Sequence, residues 1–240
     1  MVLPVRTTGS VAFMADLPDL GRTYRFDPAT DEDETGGITV MTLHGAAGTE
    51  DDLVDAARRI SPGVSVLSPR GTLDDEDGGF RHLPMRPPPE EEAELDPDLP
   101  TPWALAVREH SSSLASFVTD ACAALDLDAE DIWLMGFSDG ATAAAAFALD
   151  HPAAVAGAII LSGRPSIRPP GGRVLDHKQI FCATGRDDER VTIDDYEELV
   201  EGLVTAGADV ELHWYDVGHE IADQALVDAQ VWLGKRLAGS

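Results

Sequence analysis

Residues 136 to 140 form the sequence Gly-Phe-Ser-Asp-Gly, which fits the G-x-S-x-G pattern of a nucleophile elbow. In this motif a serine occupies a tight turn between a strand and a helix, and its hydroxyl can attack a carbonyl carbon. Glycines are needed there because the turn brings backbone segments too close together for side chains. The apolar run 132–135 predicts the strand, and the alanine-rich segment 142–149 predicts the helix. Ser138 is therefore the candidate nucleophile, and the alternative is an ordinary tight turn.

A serine nucleophile requires a base that removes its proton, and the base in such sites is a histidine. After an elbow serine, the expected order along the chain is an acidic residue and then the histidine. Four histidines follow Ser138, namely His151, His177, His213 and His219. His213 lies inside a predicted strand, whereas His219 follows that strand in a loop that could cross the edge of the sheet. We therefore expect His219 to be the general base.

The acid that orients the histidine should leave the strand before it. The predicted strand 179–183 continues directly into a loop that contains Asp187, Asp188 and Glu189. Neighbouring side chains on an extended loop point in different directions, so one aspartate can reach the histidine while the next faces water. We expect Asp188 to be the acid, and Asp187 is its main competitor.

The elements that must position these residues follow from the hydrophobic pattern. Apolar runs predict strands at 38–43, 64–67, 132–135, 158–161, 179–183 and 210–215. Helical patterns lie between them at 50–60, 103–127, 138–149, 193–206 and 222–237, and an earlier pair of runs around 11–15 and 22–26 could supply antiparallel edge strands. Strands that are apolar throughout are typical of parallel sheets buried on both faces. The alternation predicts a single α/β domain spanning 1–240, with helices on both faces of a doubly wound, mostly parallel sheet.

The segment 86–102 breaks this alternation. Three prolines at 87–89 are followed by three glutamates at 90–92 and by further proline and aspartate. Proline removes donors from a sheet and like charges repel, so the segment is expected to be a surface insertion. It could be a lid over the site or a disordered loop.

The charge balance is strongly acidic. The chain has 44 acidic and 17 basic residues, of which only Lys178 and Lys235 are lysines, and its net charge is −27. This charge repels nucleic acid and anionic membranes and excludes them as expected partners. The acidic residues are spread along the whole chain, which favours a solvated surface suited to concentrated salt. The composition resembles that of proteins from salt-loving microbes and predicts a halophilic source.

Location and cofactors are predicted from what the sequence does not contain. It has neither a secretion signal pattern nor an apolar run long enough to cross a bilayer, so a soluble, cytoplasmic protein is expected. It also has no His-x-x-x-His motif, no Cys/His cluster and no phosphate-binding G-x-x-x-x-G-K-[ST] loop. We therefore expect neither a metal nor another cofactor.

Several separated segments share a pattern with the elbow. They are the segments 43–53, 65–71, 78–83 and 136–140, the Gly-x-x-Asp-x-x-Val pattern of Gly185, Asp188 and Val191, and the pair Gly218 and His219. Together these segments resemble the phospholipase/carboxylesterase group of α/β hydrolases, which includes acyl-protein thioesterases and small carboxylesterases. The resemblance covers most of the chain.

The resemblance implies an α/β-hydrolase fold and a carboxylic ester hydrolase that acts on esters or thioesters of small to medium acyl chains without a cofactor. It assigns Ser138, Asp188 and His219 to the catalytic triad. It also assigns the backbone N–H groups of Ala46 and Asp139 to the oxyanion hole, where they would stabilise a tetrahedral intermediate. Asp139 departs from the family, which usually has glutamine at this position, and places a carboxylate beside the oxyanion.

Two other classes of function fit parts of the pattern. One is a related enzyme, such as a dienelactone hydrolase or a perhydrolase, although dienelactone hydrolases usually carry cysteine at the position of Ser138. The other is a catalytically silent α/β-hydrolase that serves as a binding protein. The intact order of serine, aspartate and histidine favours an enzyme.

Overall fold

The computed structural model describes residues 17–30, 37–88, 99–167 and 171–238. Strands account for nine segments of this described part: β1 Tyr24–Asp27, β2 Thr39–Leu43, β3 Ser65–Pro69, β4 Leu73–Asp74, β5 Phe80–Arg81, β6 Ile132–Phe137, β7 Gly157–Leu161, β8 Gln179–Gly185 and β9 Asp209–Tyr215. Seven of them form one sheet, and β4 and β5 form a separate two-stranded ribbon.

The large sheet has the strand order β1-β3-β2-β6-β7-β8-β9. Only β1 runs antiparallel to its neighbour, and the other adjacent pairs are parallel. The predicted edge strand at 22–26 corresponds to β1, while its proposed companion at 11–15 lies outside the described residues. Because parallel strands share one direction, the loops after β6, β7, β8 and β9 meet at the same edge of the sheet.

Five α-helices connect the strands within the described ranges: α1 Val54–Ile60, α2 Pro102–Leu125, α3 Asp139–Asp150, α4 Ile193–Thr205 and α5 Asp223–Leu237. The Thr101 hydroxyl accepts a hydrogen bond from the Ala104 N–H, and proline follows at the first position of α2, both typical of a helix start. Thr192 caps α4 in the same way. None of the described helices is long and apolar enough to cross a membrane.

The helices cover both faces of the sheet, as the sequence predicts. Alternate side chains of β2 enter two different cores: Met41 and Leu43 pack in the cluster that contains residues of α2, α3 and α4, and Val40 packs in the cluster that contains residues of α1 and α5. All three are fully buried. This burial on both faces explains why the central strands are mostly apolar, whereas the edge strand β9 alternates and is partly exposed.

The first helix begins later than the acidic residues at 50–52 suggest, at Val54. These acidic side chains have other partners. Glu50 is buried and forms an ion pair with Arg70, while Asp51 pairs with an arginine of β1. Asp52 accepts hydrogen bonds from the Thr49 N–H and hydroxyl at 3.2 and 2.9 Å, so a turn precedes the helix.

Residues 89–98 of the predicted insertion lie outside the described residues. The described part before them packs around Trp103 at the start of α2. The indole N–H of Trp103 donates to the Pro84 carbonyl at 2.9 Å, and the Arg86 guanidinium lies 5.2 Å from the centre of its ring. Whether the insertion acts as a lid stays a prediction.

Candidate active site

Ser138 occupies the turn between β6 and α3 in a strained backbone conformation, with φ 55° and ψ −116°. Its N–H donates to the Leu161 carbonyl at the end of β7, which fixes the turn against the sheet. A Cβ atom at Gly136 would collide with the backbone of Gly140, and one at Gly140 would collide with the Leu43 carbonyl. The glycines of the motif are therefore required by close backbone packing, as the sequence suggests.

His219 connects the serine to a carboxylate. Its Nε2 atom lies 2.8 Å from the Ser138 Oγ, and its Nδ1 atom lies 2.8 and 3.0 Å from the two carboxylate oxygens of Asp188. An ionised carboxylate only accepts hydrogen bonds, so Nδ1 carries the hydrogen and Nε2 is left to accept the serine proton. The Asp188 side chain is fully buried, whereas that of His219 is 13% exposed.

Asp188 is held in its orientation by backbone donors. The N–H groups of Arg190 and Val191 donate to its Oδ1 at 2.8 and 2.9 Å. Burial acts to raise the pKa of Asp188, but the hydrogen bonds from Val191, His219 and Arg190 outweigh it and lower that pKa below its ordinary value. Asp187 is exposed, so Asp188 is the aspartate of this loop that contacts the histidine.

The loops after β8 and β9 are joined by backbone hydrogen bonds, and this brings Asp188 and His219 together. The N–H of Arg186 donates to the Tyr215 carbonyl at 2.8 Å, and that of Asp187 donates to the Val217 carbonyl at 3.1 Å. Gly185 lies where the two loops first meet, and a side chain at this position would collide with the backbone of Val217 and Gly218.

The other three histidines that follow the serine have different surroundings. His213 stacks on the Phe181 ring at 4.9 Å and contacts Glu211. His177 is exposed, and the ring of His151 packs against a phenylalanine of α3. None of the three is hydrogen-bonded to the serine.

Ala46 and Asp139, the two residues expected to supply the oxyanion hole, line the same cavity of about 210 Å³ as Ser138. Asp139 is the first residue of α3, so its N–H has no acceptor within the helix and lies at the positive end of the helix dipole. The loop that contains Ala46 is fixed by Gly48, which exchanges two backbone hydrogen bonds with Phe80 at 2.9 and 3.1 Å.

The Asp139 carboxylate is tied to the neighbouring loop. Its Oδ2 accepts hydrogen bonds from the N–H groups of His82 and Leu83 at 2.7 and 3.2 Å. Burial nevertheless raises the pKa of Asp139 to about 6, against the opposing effects of those hydrogen bonds and of Arg81. The negative charge expected beside the oxyanion is therefore present at neutral and alkaline pH and is lost below about pH 6.

Sequence reasoning missed the arginines of the cavity, whose lining includes Arg81, Arg86, Arg164 and Arg190. A signal was available for two of them, because Arg164 and Arg190 lie in the loops that follow β7 and β8. Loops at the carboxyl ends of parallel strands are where ligands bind in open α/β sheets.

A strand, an elbow serine and a helix within a mostly parallel sheet define the class of α/β hydrolases. The described architecture confirms the predicted fold class and agrees with solved carboxylesterase structures. The structural alignment with a carboxylesterase from Bacillus cereus covers 90% of this chain and 95% of that protein, with 25% identity and a TM-score of 0.77. A carboxylesterase from Mesorhizobium loti covers 90% and 96%, with 25% identity and a TM-score of 0.74.

The chain belongs to the phospholipase/carboxylesterase family, whose sequence profile matches residues 95–237. It is also 26% identical over 201 residues to MhqD of Bacillus subtilis (strain 168), an alignment that covers 84% of this chain and 94% of that protein. The family predicted from the sequence motifs is confirmed, and the protein is an ester hydrolase.

Proposed function

We propose that this protein is a serine carboxylesterase in which Ser138 is the nucleophile, His219 the general base and Asp188 the residue that orients the histidine. The observation that carries the proposal is the unbroken hydrogen-bond chain from the serine hydroxyl through the imidazole to the buried carboxylate. Such a chain is what the activation of a serine requires.

In the first half of the reaction, His219 Nε2 removes the proton of the Ser138 hydroxyl as Oγ attacks the ester carbonyl carbon. The carbonyl π electrons move to its oxygen, and the resulting negative charge is stabilised by the N–H groups of Ala46 and Asp139. When the tetrahedral intermediate collapses, the bond to the alcohol oxygen breaks. The imidazolium gives its proton to the departing alcohol, and an acyl-serine remains.

In the second half, His219 Nε2 removes a proton from water as the water oxygen attacks the acyl carbon and forms a second tetrahedral intermediate. When this intermediate collapses, the bond to Ser138 Oγ breaks, the imidazolium returns its proton to Oγ, and the acid is released. Asp188 keeps its negative charge throughout, because its backbone hydrogen bonds hold its pKa low. This charge stabilises the imidazolium that forms in both halves. A thioester would react through the same steps with a thiol as the leaving group.

The size of the cavity supports substrates with small to medium acyl chains. Its volume of about 210 Å³ lies below the range of roughly 300 to 1,000 Å³ that is usual for pockets of drug-sized ligands. Side chains of Leu83, Met85, Trp103 and Val191 supply apolar surface to its lining.

The proposal is tested by labelling with a fluorophosphonate and by hydrolysis of p-nitrophenyl butyrate. We expect the probe to label the peptide that contains Ser138 and to leave Ser138→Ala unlabelled. The kcat of Ser138→Ala should be lower than that of the wild type by a factor of about 10⁴ or more. Ser112→Ala is the control, because Ser112 is exposed on α2 and its hydroxyl donates to a backbone carbonyl. Near wild-type turnover in folded Ser138→Ala would refute the assignment, and an unlabelled, inactive wild type would indicate a binding protein.

A further inference from the structure

The catalytic cavity carries positive charge in a strongly negative protein. Among its described lining residues, four are the arginines Arg81, Arg86, Arg164 and Arg190, and one, Asp139, is acidic. The chain as a whole has 44 acidic and 17 basic residues. The cluster of arginines that lines the cavity is therefore opposite in charge to the rest of the protein surface.

Arginines elsewhere in the described structure are commonly paired with carboxylates, as in Arg25 with Asp27 and Arg108 with Asp150. In the cavity, Arg81 lies 3.4 Å from an aspartate carboxylate, and Arg86 packs over a tryptophan ring.

Arg164 and Arg190 differ from these arginines, because neither forms an ion pair with any residue of the described ranges. Most arginines of the described ranges form such a pair, and Arg22 is another exception, with a serine hydroxyl and a phenylalanine ring as its partners. Arg164 and Arg190 are available to a ligand.

The backbones of these two arginines are attached to the catalytic residues. The Arg164 N–H donates to the Thr142 hydroxyl oxygen at 3.0 Å, and that hydroxyl donates to the Ser138 carbonyl at 3.2 Å. The Arg190 N–H donates to the Asp188 carboxylate at 2.8 Å. The backbones of both residues are therefore held near the nucleophile, in the loops that follow the neighbouring strands β7 and β8.

We propose that this cavity selects small esters that carry a free carboxylate, such as half-esters of short dicarboxylic acids, and that Arg164 and Arg190 bind that carboxylate. The proposal rests on the proposed function. A guanidinium presents its N–H donors in a planar fork that matches a carboxylate, and such charge-assisted hydrogen bonds are stronger than neutral ones.

Asp139 does not neutralise this site through contact, because its carboxylate is hydrogen-bonded to the backbone of His82 and Leu83. The surface charge acts in the opposite sense, since a net charge of −27 repels an anionic substrate in bulk solution. Binding thus depends on short-range contacts inside the cavity, and the two arginines are the described groups suited to make them.

The test compares two esters of similar length, the p-nitrophenyl monoester of glutaric acid and p-nitrophenyl pentanoate. The first ends in a carboxylate and the second in a methyl group. The measured quantity is the ratio of their kcat/KM values, at pH 7.5 and the lowest KCl concentration that keeps the protein folded. Arg164→Gln and Arg190→Gln are each expected to lower this ratio about tenfold, which corresponds to about 1.4 kcal/mol, and the double variant further.

Arg173→Gln is the matched control. It removes one positive charge from an exposed ion pair with Asp176, away from the cavity lining, and should leave the ratio unchanged. Arg164→Lys and Arg190→Lys should recover part of the preference, because they keep the charge and lose the fork. If Arg164→Gln fails to fold, Arg190→Gln alone decides, since its side chain is exposed.

The outcomes separate the two proposals. If the ratio of kcat/KM values for the two esters is the same in the wild type, Arg190→Gln and Arg173→Gln, the carboxylate preference is overturned. The esterase proposal would still stand in that case, provided that hydrolysis of the pentanoate ester depends on Ser138. A wild type that hydrolyses neither ester would overturn both. A ratio that falls equally in Arg173→Gln would show an effect of overall charge and would also overturn the role of the cavity arginines.

Discussion

The chain places histidines in two contrasting regions, the candidate catalytic histidine and a buried group of three. His219 is partly exposed, and both of its ring nitrogens have hydrogen-bond partners. His44, His82 and His110 lie in the interior with neighbouring ring centres 4.5 and 5.3 Å apart. We call these three residues the buried histidine group.

Hydrogen bonding is incomplete in the buried histidine group. His44 Nε2 accepts from the Gly71 N–H at 2.9 Å, and its Nδ1 donates to the Gly45 carbonyl at 2.7 Å. Within the described part of the chain, neither ring nitrogen of His82 has a hydrogen-bond partner, and the same holds for Nε2 of His110.

Burial, the largest cause, lowers the pKa of His44, lowers that of His82 well below its ordinary value, and lowers that of His110 to about 4. The positive charge of Arg22 acts in the same direction on His82 and His110. These rings are neutral at physiological pH.

The difference shows that the surroundings of a histidine decide its use. A ring with a carboxylate on one side and a hydroxyl on the other can accept a proton and return it. A ring in an apolar interior with unpaired nitrogens resists protonation, and the free energy of folding depends on it staying neutral.

The largest effect is expected when His219 loses its carboxylate partner. Asp188→Asn can present an N–H to Nδ1 and stabilise the wrong tautomer, so kcat should fall about 10⁴-fold. Asp187→Asn, the control in the same loop, should change kcat by less than about threefold, because that side chain is exposed. Steady-state hydrolysis of p-nitrophenyl butyrate measures both. A larger loss in Asp187→Asn than in Asp188→Asn would identify Asp187 as the acid.

The sequence predicted much of the site because its residues follow strands that are recognisable one at a time. Runs rich in apolar residues indicated β2, β3 and β6 to β9, and motif and chain order then indicated Ser138 and His219. Choosing Asp188 over Asp187 is a weaker prediction from sequence, because it depends on where each side chain points along one loop.

Features that depend on contacts between distant segments could not be predicted in this way. Before the late start of α1, Glu50 is engaged in an ion pair with Arg70, which is 20 residues away in sequence. The buried histidine group joins three segments that are far apart in sequence. Only His110 gave a local signal, because its spacing of three and four residues from Val107 and Leu114 places it on the apolar face of α2.

The second effect concerns acid stability. His110 has a pKa of about 4 when folded and about 6.5 when unfolded, so the unfolded chain binds more protons between these values. Its stabilising contribution is complete above about pH 6.5 and is lost as the pH falls towards 4. At pH 5 this loss is about 2 kcal/mol for His110 alone.

Urea unfolding at pH 7.5 and pH 5, at one KCl concentration, measures this loss. His110→Leu removes the titrating group. Between the two pH values, its free energy of unfolding should therefore fall by about 2 kcal/mol less than that of the wild type. His177→Gln is the control, because His177 is exposed and should leave the difference unchanged. Equal losses in the wild type and His110→Leu would show that His110 does not contribute.

A smaller effect is expected at Asp139, where the carboxyl group has a pKa of about 6 beside the proposed oxyanion hole. As the pH rises through 6, its negative charge appears and opposes the charge that develops on the substrate oxygen. Asp139→Asn removes this charge, so the ratio of its kcat to that of the wild type should increase about three- to tenfold between pH 5.5 and 8. A ratio that is constant across this range would show that the Asp139 charge does not reach the reacting atoms.

The smallest effect, a shift of several degrees in unfolding temperature, should distinguish the acidic surface from the buried histidine group. The Debye length is about 30 Å at 0.01 M salt and about 3 Å at 1 M. Repulsion among the surface carboxylates therefore acts across the domain at low KCl and only between near neighbours at high KCl. The unfolding temperature at pH 7.5 should rise between these concentrations, and a further rise beyond molar salt would indicate ion exclusion or cation binding.

The cost of protonating the buried histidines arises from burial, which added salt does not screen. The drop in unfolding temperature from pH 7.5 to pH 5 should therefore persist at 1 M KCl, although both temperatures rise. A flat or falling temperature at pH 7.5 would contradict the role of surface repulsion. If the drop in unfolding temperature between pH 7.5 and pH 5 disappears at 1 M KCl, the acid sensitivity comes from exposed charges and not from the buried histidine group. Surface and interior would then not differ in how they set the stability of the protein.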